Sequence, residues 1–258
     1  MPKGERSMDF FTPPVNPPSG FSHHTFFSKL YAHELGYNVY MPDGYENSTE
    51  RYPVCYHLHG WTGNESSEIH TMAAVCRSRN AITVFPNSSP VIGERNDYPV
   101  EKMLVQELIP LIDSLYRTQP MRETRSISGF SMGGGMAMVY AINHPDLFSA
   151  VTAYAGTYHH YFYYTDFRTV GAPIEKAADF LHDLLTADES LTFDKNILTL
   201  VEKQADALRG NMRISLHIGT KDVLYCDNEI FRMQLEKLGI PHEYVTFEGA
   251  EHRLADIL

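Results

Sequence analysis

Ser131, Asp222 and His252 have the side-chain types and local settings that acyl transfer requires. Ser131 lies in Gly129-Phe130-Ser131-Met132-Gly133, a match to G-x-S-x-G between a strand-like and a helix-like run. A hydroxyl on a sharp strand-to-helix turn becomes a nucleophile when an imidazole takes its proton, and flanking glycines permit the backbone angles and close approach of such a turn. With Gly and Ser each near ~7% of residues, the motif arises by chance in about one chain in ten of this length. Context therefore decides its weight, since a serine before Gly133-Gly134-Gly135 also reads as an ordinary helix N-cap. Two later turns supply the missing groups. Gly219-Thr220-Lys221-Asp222 offers a carboxylate and Gly249-Ala250-Glu251-His252 an imidazole, each just past a strand-like run. Imidazole suits proton abstraction and return near neutral pH, and a carboxylate holds its Nδ1–H tautomer. Asp227 competes with Asp222 for that second role.

Acyl transfer also needs donors for a developing oxyanion. The backbone N–H of Met132, at the start of the helix-like run, is one candidate. Trp61 supplies the other, in Tyr56-His57-Leu58-His59-Gly60-Trp61-Thr62-Gly63, where a strand runs out into a glycine turn. His57 and His59 read as core or rim histidines, because no third ligand stands near them and a metal needs one. His217, His159, His160, His23 and His24 lack the strand-end position of His252.

The elements that must position these groups alternate in period. Runs at 21–32, 37–41, 53–58, 81–85, 125–129, 150–155, 213–219 and 242–247 read as strands. Leu104, Leu108, Leu111 and Leu115 form one helical stripe that Pro110 should kink, 132–143 reads as a second helix, and Phe231, Leu235 and Leu238 mark a third closed by Gly239. Such alternation implies βαβ crossovers and an α/β fold with a mostly parallel central sheet covered by helices on both faces. In a parallel sheet the strand C-termini share one edge, so Ser131, Asp222 and His252 can converge, in the nucleophile, acid, base order of the α/β-hydrolase fold. The expected organisation is a Pro-rich segment at 1–20 and one domain at 21–258, with an aromatic-rich insert over the active edge at about 157–209.

Composition narrows the partners. Against 21 Lys and Arg stand 32 Asp and Glu, a formal charge of −11 that disfavours nucleic acid and anionic membrane surfaces. No apolar window is long enough to span a bilayer, and Pro13, Pro14, Pro17 and Pro18 interrupt any signal-peptide core. The expectation is a cytoplasmic protein, or a secreted one whose signal has been removed. Cys55, Cys76 and Cys226 are odd in number and lack metal-ligand spacing, so they read as buried or inert thiols.

The chain resembles the esterase D-like α/β-hydrolases, which include feruloyl esterases, acetylxylan esterases and S-formylglutathione hydrolases. The resemblance runs from about residue 21 to 252. It rests on Tyr37-Asn38-Val39-Tyr40-Met41-Pro42-Asp43-Gly44-Tyr45, His59-Gly60-Trp61, Ser128 to Gly134, Gly219 to Asp222 and Gly249 to His252. It implies hydrolysis of carboxylic esters with no metal or organic cofactor, Ser131, Asp222 and His252 as the triad, and Trp61 with Met132 as the oxyanion pair. Members usually continue past the catalytic histidine into a helix, whereas six residues follow His252 here. The uncovered flank would then need a partner chain, as in a homodimer, or the N-terminal segment.

Aromatic residues cluster at 154–167, where Tyr154, Tyr158, Tyr161, Phe162, Tyr163, Tyr164 and Phe167 fall within fourteen positions. A flat phenolic acyl group would stack on such a wall, with Tyr158, Tyr161, Phe162 and Tyr164 as its contacts. The expected substrate is a feruloyl or related hydroxycinnamoyl ester of a small alcohol or plant oligosaccharide. Packing of the insert's own core explains the same residues. Rival readings on one triad are an acetyl esterase, a thioesterase of the S-formylglutathione hydrolase kind and an acyltransferase. A binding module on an inactive scaffold is the rival from another class.

Overall fold

Branched and aromatic runs become strands, and the stripes between them helices, in a computed structural model that describes residues 10–89, 99–158 and 197–258. The chain divides into two compact units, Met1–Ser126 and Ile127–Leu258.

In the first unit, β1 (Phe21–Ser28) and β2 (His33–Tyr40) form an antiparallel hairpin. Strand β2 pairs antiparallel with β4 (Ile82–Pro86), which pairs parallel with β3 (Val54–Leu58), giving the order β1-β2-β4-β3. Every residue of β3 and β4 is buried, hence sequences that are apolar except for His57 and Thr83. The hairpin turns earlier than its sequence pattern indicates. The Lys29 and Leu30 N–H groups donate to Glu107 Oε1 at 2.9 and 3.2 Å, the Ser28 hydroxyl donates to Glu107 Oε2 at 2.5 Å, and Ala32 takes a left-handed φ of 57°. A carboxylate some 80 positions away is invisible to any local pattern.

Helix α1 (Ile69–Ser78) is absent from the sequence reading, yet Ile69, Met72, Ala73 and Cys76 stand at i, i+3, i+4 and i+7 and are its buried face. The leucine stripe forms α2 (Val100–Met103), a π-helical turn (Leu104–Leu108) and α3 (Ile109–Leu115). Pro110 has no N–H for the carbonyl four residues back, and the wider turn before it absorbs that loss without ending the helix. One extra residue turns the following face by about 100°. The buried positions accordingly pass from Leu104 and Leu108 to Ile109 and Ile112, and Leu115 is 57% exposed instead of buried.

The second unit carries β5 (Arg125–Phe130), β6 (Ala150–Tyr154), β7 (Arg213–Gly219) and β8 (Glu243–Phe247) in that order, with β6, β7 and β8 parallel. Helix α4 (Met132–Asn143) packs on β6. Helices α5 (Ile197–Lys203) and α6 (Ala205–Leu208) follow, with α5 against α4. Helix α7 (Tyr225–Lys237) packs on β7 and ends in a Schellman motif. There the Gly239 N–H donates to Glu236 O at 2.9 Å, the Ile240 N–H donates to Leu235 O at 2.9 Å, and Gly239 adopts φ 63°.

Of the expected insert, 159–196 lie outside the described residues, and so do Tyr161, Phe162 and Tyr164. The residues after His252 are themselves a cover: Leu254 and Ile257 are buried, and the His217 ring on β7 meets the Ile257 carbonyl through Nδ1 at 3.0 Å. The N-terminal segment docks in the first unit instead, where Phe10 O accepts the Gly36 N–H at 3.2 Å. The three cysteines form no disulfide. Cys55 and Cys76 are buried, and burial pushes the Cys76 thiol up to about 12, whereas Cys226 is exposed. Among the described residues no helix is long and apolar enough to cross a membrane.

Candidate active site

The turn between β5 and α4 places one residue, Ser131, in a conformation that L residues avoid. Its φ of 55° and ψ of −119° strain a non-glycine backbone by about 1–3 kcal/mol. Hydrogen bonds on both sides over-determine that geometry. The Ser131 N–H donates to Tyr154 O at 2.8 Å, and the Ser131 carbonyl accepts from the Gly135 N–H at 3.0 Å and the Thr157 N–H at 3.2 Å. The glycines that leave no room for a Cβ are Gly134, where one would lie 3.0 Å from Gly129 O and from Gly156 Cα, and Gly135, where one would run into Thr157 O. A Gly135→Ala variant should therefore lose about 3 kcal/mol, the upper range for overpacking, read as a lower urea midpoint at unchanged m-value. Stability equal to wild type would show that the segment after β6 yields.

Two loops deliver the partners of Ser131. After β7 the chain passes through Thr220 and Lys221 to Asp222, and after β8 through Gly249 and Ala250 to His252. The loops are laced together: the Thr220 N–H donates to Phe247 O at 3.0 Å, the Lys221 N–H to Ala250 O at 3.0 Å and the Gly249 N–H to Thr220 Oγ1 at 2.8 Å. Gly219 is required beneath them, since a Cβ there would lie 2.2 Å from Ala250 O.

His252 Nδ1 lies 3.0 and 2.8 Å from Asp222 Oδ1 and Oδ2, and its Nε2 lies 2.9 Å from Ser131 Oγ. Two carboxylate oxygens facing Nδ1 keep the proton there, so Nε2 presents its lone pair to the serine hydroxyl. Asp222 Oδ1 also accepts the Leu224 N–H at 2.8 Å, and the Asp222 side chain is fully buried. The His252 ring stacks on Phe130, the residue before the serine, with centroids 4.8 Å apart. This arrangement can transfer a proton from Ser131 Oγ to Nε2 while Asp222 holds the imidazolium that results.

The competing acid has another partner. Asp227 is buried on α7, and its Oδ2 accepts the Tyr158 N–H at 2.6 Å. Next to it, Asn228 Nδ2 donates to Gly156 O at 2.9 Å. The geometry thus favours Asp222 over Asp227 and gives Asp227 the task of anchoring the chain after β6.

Tyr158 departs from its expected place on a substrate wall. It is 3% exposed, its ring stacks on Phe231 at 4.3 Å, and burial together with the nearby Asp227 carboxylate holds its phenol well above the usual range. Tyr154 is buried too. Tyr158 packs on Phe231 of α7 and Tyr154 meets the His217 ring edge-on at 5.0 Å, contacts that no local count of aromatics foresees.

Met132 is the first residue of α4, so its N–H is among those for which a helix has no internal acceptor. Trp61 belongs to the first unit, on the turn after β3, and is 38% exposed. Three other histidines of the described residues have structural partners: His57 Nε2 meets Glu68 Oε2 at 2.7 Å, His23 Nε2 meets Glu65 Oε1 at 3.1 Å, and His217 is tied to Ile257 O. Among the described residues no group of three or more His, Cys, Asp or Glu is placed to hold a metal ion.

Comparison with known proteins gives the following. The family model Esterase, described as "Putative esterase", matches residues 28–255. An endo-1,4-beta-xylanase/feruloyl esterase of Xylanibacter ruminicola is 31% identical over 143 residues, which are 48% of this chain and 20% of that protein. The esterase Rv1288 of Mycobacterium tuberculosis is 31% identical over 136 residues, 47% of this chain and 29% of that protein. The chain thus spans less than a third of the length of these curated relatives. Among solved structures, a ferulic acid esterase superposes with a TM-score of 0.72 at 25% identity, covering 91% of each chain. An S-formylglutathione hydrolase of Staphylococcus aureus superposes with a TM-score of 0.72 at 15% identity, covering 91% of this chain and 92% of the other, a likeness of fold.

Proposed function

This chain belongs to the Esterase family, whose model spans residues 28–255, and from that premise we propose that it is a serine carboxylesterase acting on hydroxycinnamoyl esters. The observation that carries the reading is the line of hydrogen bonds from Asp222 through His252 to Ser131 Oγ, at 2.8 and 2.9 Å.

In this reading His252 Nε2 takes the Ser131 proton as Oγ attacks the ester carbonyl. The backbone N–H of Met132, at the start of α4, stabilises the tetrahedral oxyanion, and His252 then protonates the departing alcohol. Water repeats the sequence on the acyl-enzyme and frees the acid. The chemistry comes from side chains and backbone alone. The strained turn at Ser131 supports it, because strain of this kind persists where surrounding structure enforces it.

A feruloyl or related acyl group on a small or oligosaccharide alcohol is the proposed substrate, since the relatives include a feruloyl esterase and a ferulic acid esterase. With Tyr154 and Tyr158 in the interior, the aromatic cluster at 154–167 no longer supports this choice by itself. The negative formal charge suits a neutral or sugar-linked ester better than a polyanion.

A panel of methyl ferulate, methyl acetate and S-formylglutathione, compared as kcat/KM, tests the reading. At least a tenfold preference for methyl ferulate over methyl acetate, about 1.4 kcal/mol, is expected from burial of the aromatic acyl group. Parity would remove the aromatic-acyl assignment, and a preference for the thioester would replace it.

A further inference from the structure

The turn that carries Ser131 is backed by the short stretch after β6, residues 155–158, and the first turn of α7 holds that stretch with two successive side chains. Asp227 Oδ2 accepts the Tyr158 N–H at 2.6 Å, and Asn228 Nδ2 donates to the Gly156 carbonyl at 2.9 Å. Asn228 is fully buried, and its Nδ2 also donates to the Leu224 carbonyl at 2.9 Å. Both partners are acceptors, which settles the orientation of the amide, since only its nitrogen can serve them. Asn228 Oδ1, buried as well, meets no hydrogen-bond partner among the described residues. A leucine would fill the same space without an orphaned oxygen, so what the amide offers at this position is its two N–H donors.

The Gly156 carbonyl and the Thr157 N–H belong to one peptide group. A trans peptide is planar and sets the two antiparallel, so the bond from Asn228 also aims the Thr157 N–H. No peptide bond among the described residues is cis. The Thr157 N–H donates to the Ser131 carbonyl at 3.2 Å, beside the Gly135 N–H at 3.0 Å. That carbonyl in turn shares its peptide group with the Met132 N–H, the proposed oxyanion donor at the start of α4. A glycine peptide without an outside tie would rotate readily. The left-handed φ values of 55° at Ser131 and 47° at Ala155 persist only where such ties enforce them.

We propose that Asn228 is a positioning residue for ester hydrolysis: by donating from Nδ2 to the Gly156 carbonyl it holds the Thr157 N–H on the Ser131 carbonyl, and so fixes the orientation of the nucleophile and of the Met132 N–H. The proposal rests on the assignment of Ser131 made above. The same helix start grips the acid. The Leu224 N–H donates to Asp222 Oδ1 at 2.8 Å, and the Tyr225 N–H donates to the Asp222 carbonyl at 3.0 Å. With one N–H on Leu224 O and the other on Gly156 O, Asn228 joins the loop of the acid, which follows β7, to the backing of the serine, which follows β6.

Two substitutions separate positioning from packing. Asn228→Leu keeps the volume and removes both donors. Asn228→Ser is too short to reach Gly156, but its hydroxyl can still bond the carbonyl four residues back, that of Leu224. Both variants lose the tie to Gly156, so kcat should fall about 10–100-fold in both, the scale of loss that a misplacement of about 1 Å produces. KM should stay within about threefold, because the lost interaction does not bind the substrate. Labelling by a fluorophosphonate probe should slow in parallel, since it draws on Ser131 and His252 alone. Leu208→Ala, which opens a cavity on α6, is the control for stability: it should lower the melting temperature while kcat stays near wild type. Asn228→Ser is the milder change and decides alone if Asn228→Leu does not fold. Wild-type kcat in Asn228→Ser, or an equal loss of kcat in Leu208→Ala, would overturn the proposal. Ser131→Ala serves as the reference: turnover surviving there would instead overturn the serine mechanism on which the proposal rests.

Discussion

Ser131→Ala should abolish labelling by a fluorophosphonate probe and lower kcat for every ester by about 10⁴–10⁶, with residual turnover owed to the oxyanion donors and binding alone. The expectation follows from how the hydroxyl is held. Ser131 Oγ lies 2.9 Å from His252 Nε2, on a backbone that adopts φ 55° and is tied to Tyr154 and Thr157. Those ties involve only main-chain atoms of Ser131, so alanine keeps them and the fold stays intact. The same left-handed strain remains, which predicts a melting temperature close to wild type. A labelled alanine variant, or one that turns esters over at the wild-type rate, would place the nucleophile elsewhere and end the serine-esterase reading. Truncating His252 should be nearly as costly, because members of such a relay act as a unit and their effects do not add.

Asp222→Asn should lower kcat by about 10⁴ with little change in KM. An amide presents N–H donors toward Nδ1, where a carboxylate presents only acceptors. The imidazole then answers by moving its proton to Nε2, and the nitrogen that faces Ser131 Oγ becomes a donor that cannot accept the serine proton. The Leu224 N–H bond to Oδ1 survives through the amide oxygen, so folding is spared. Asp227→Asn gives the contrasting result. Its bond is to the Tyr158 N–H, and exchanging a charged for a neutral acceptor there costs about 1 kcal/mol of stability. The effect on kcat should stay within about tenfold. Equal catalytic losses from the two substitutions would assign Asp227 a share of the acid's role that the hydrogen bonds do not give it.

Most of the strands were legible because their signals are local. The runs that form β3 and β4 are mostly apolar and do not alternate, and burial of every residue is what such runs mean. Errors arose where a distant group intervened. Glu107 closes the β1–β2 hairpin ahead of its sequence boundary, and a π-helical turn before Pro110 rotates the leucine stripe so that Leu115 faces solvent. Helix α1 shows a different failure: its i, i+3, i+4, i+7 signal lies in Ile69, Met72, Ala73 and Cys76, and the sequence reading leaves the segment unassigned.

At the candidate site, residue types and order were readable, and so was the turn that presents Ser131, because a strand-to-helix corner is encoded within five residues. The sequence by itself determined that a serine, a carboxylate and a histidine each stand just past the end of a strand, and that Met132 opens a helix with its N–H free of an internal acceptor. Tertiary structure alone decided between Asp222 and Asp227. The two lie five residues apart, and only the lacing of the 219–222 loop to the 247–250 loop brings one carboxylate to His252 while α7 carries the other to Tyr158. It also drew Tyr158 into the interior, against Phe231. Pairings of this kind join segments far apart in the chain, and their partners are set by packing, which no short window of sequence contains.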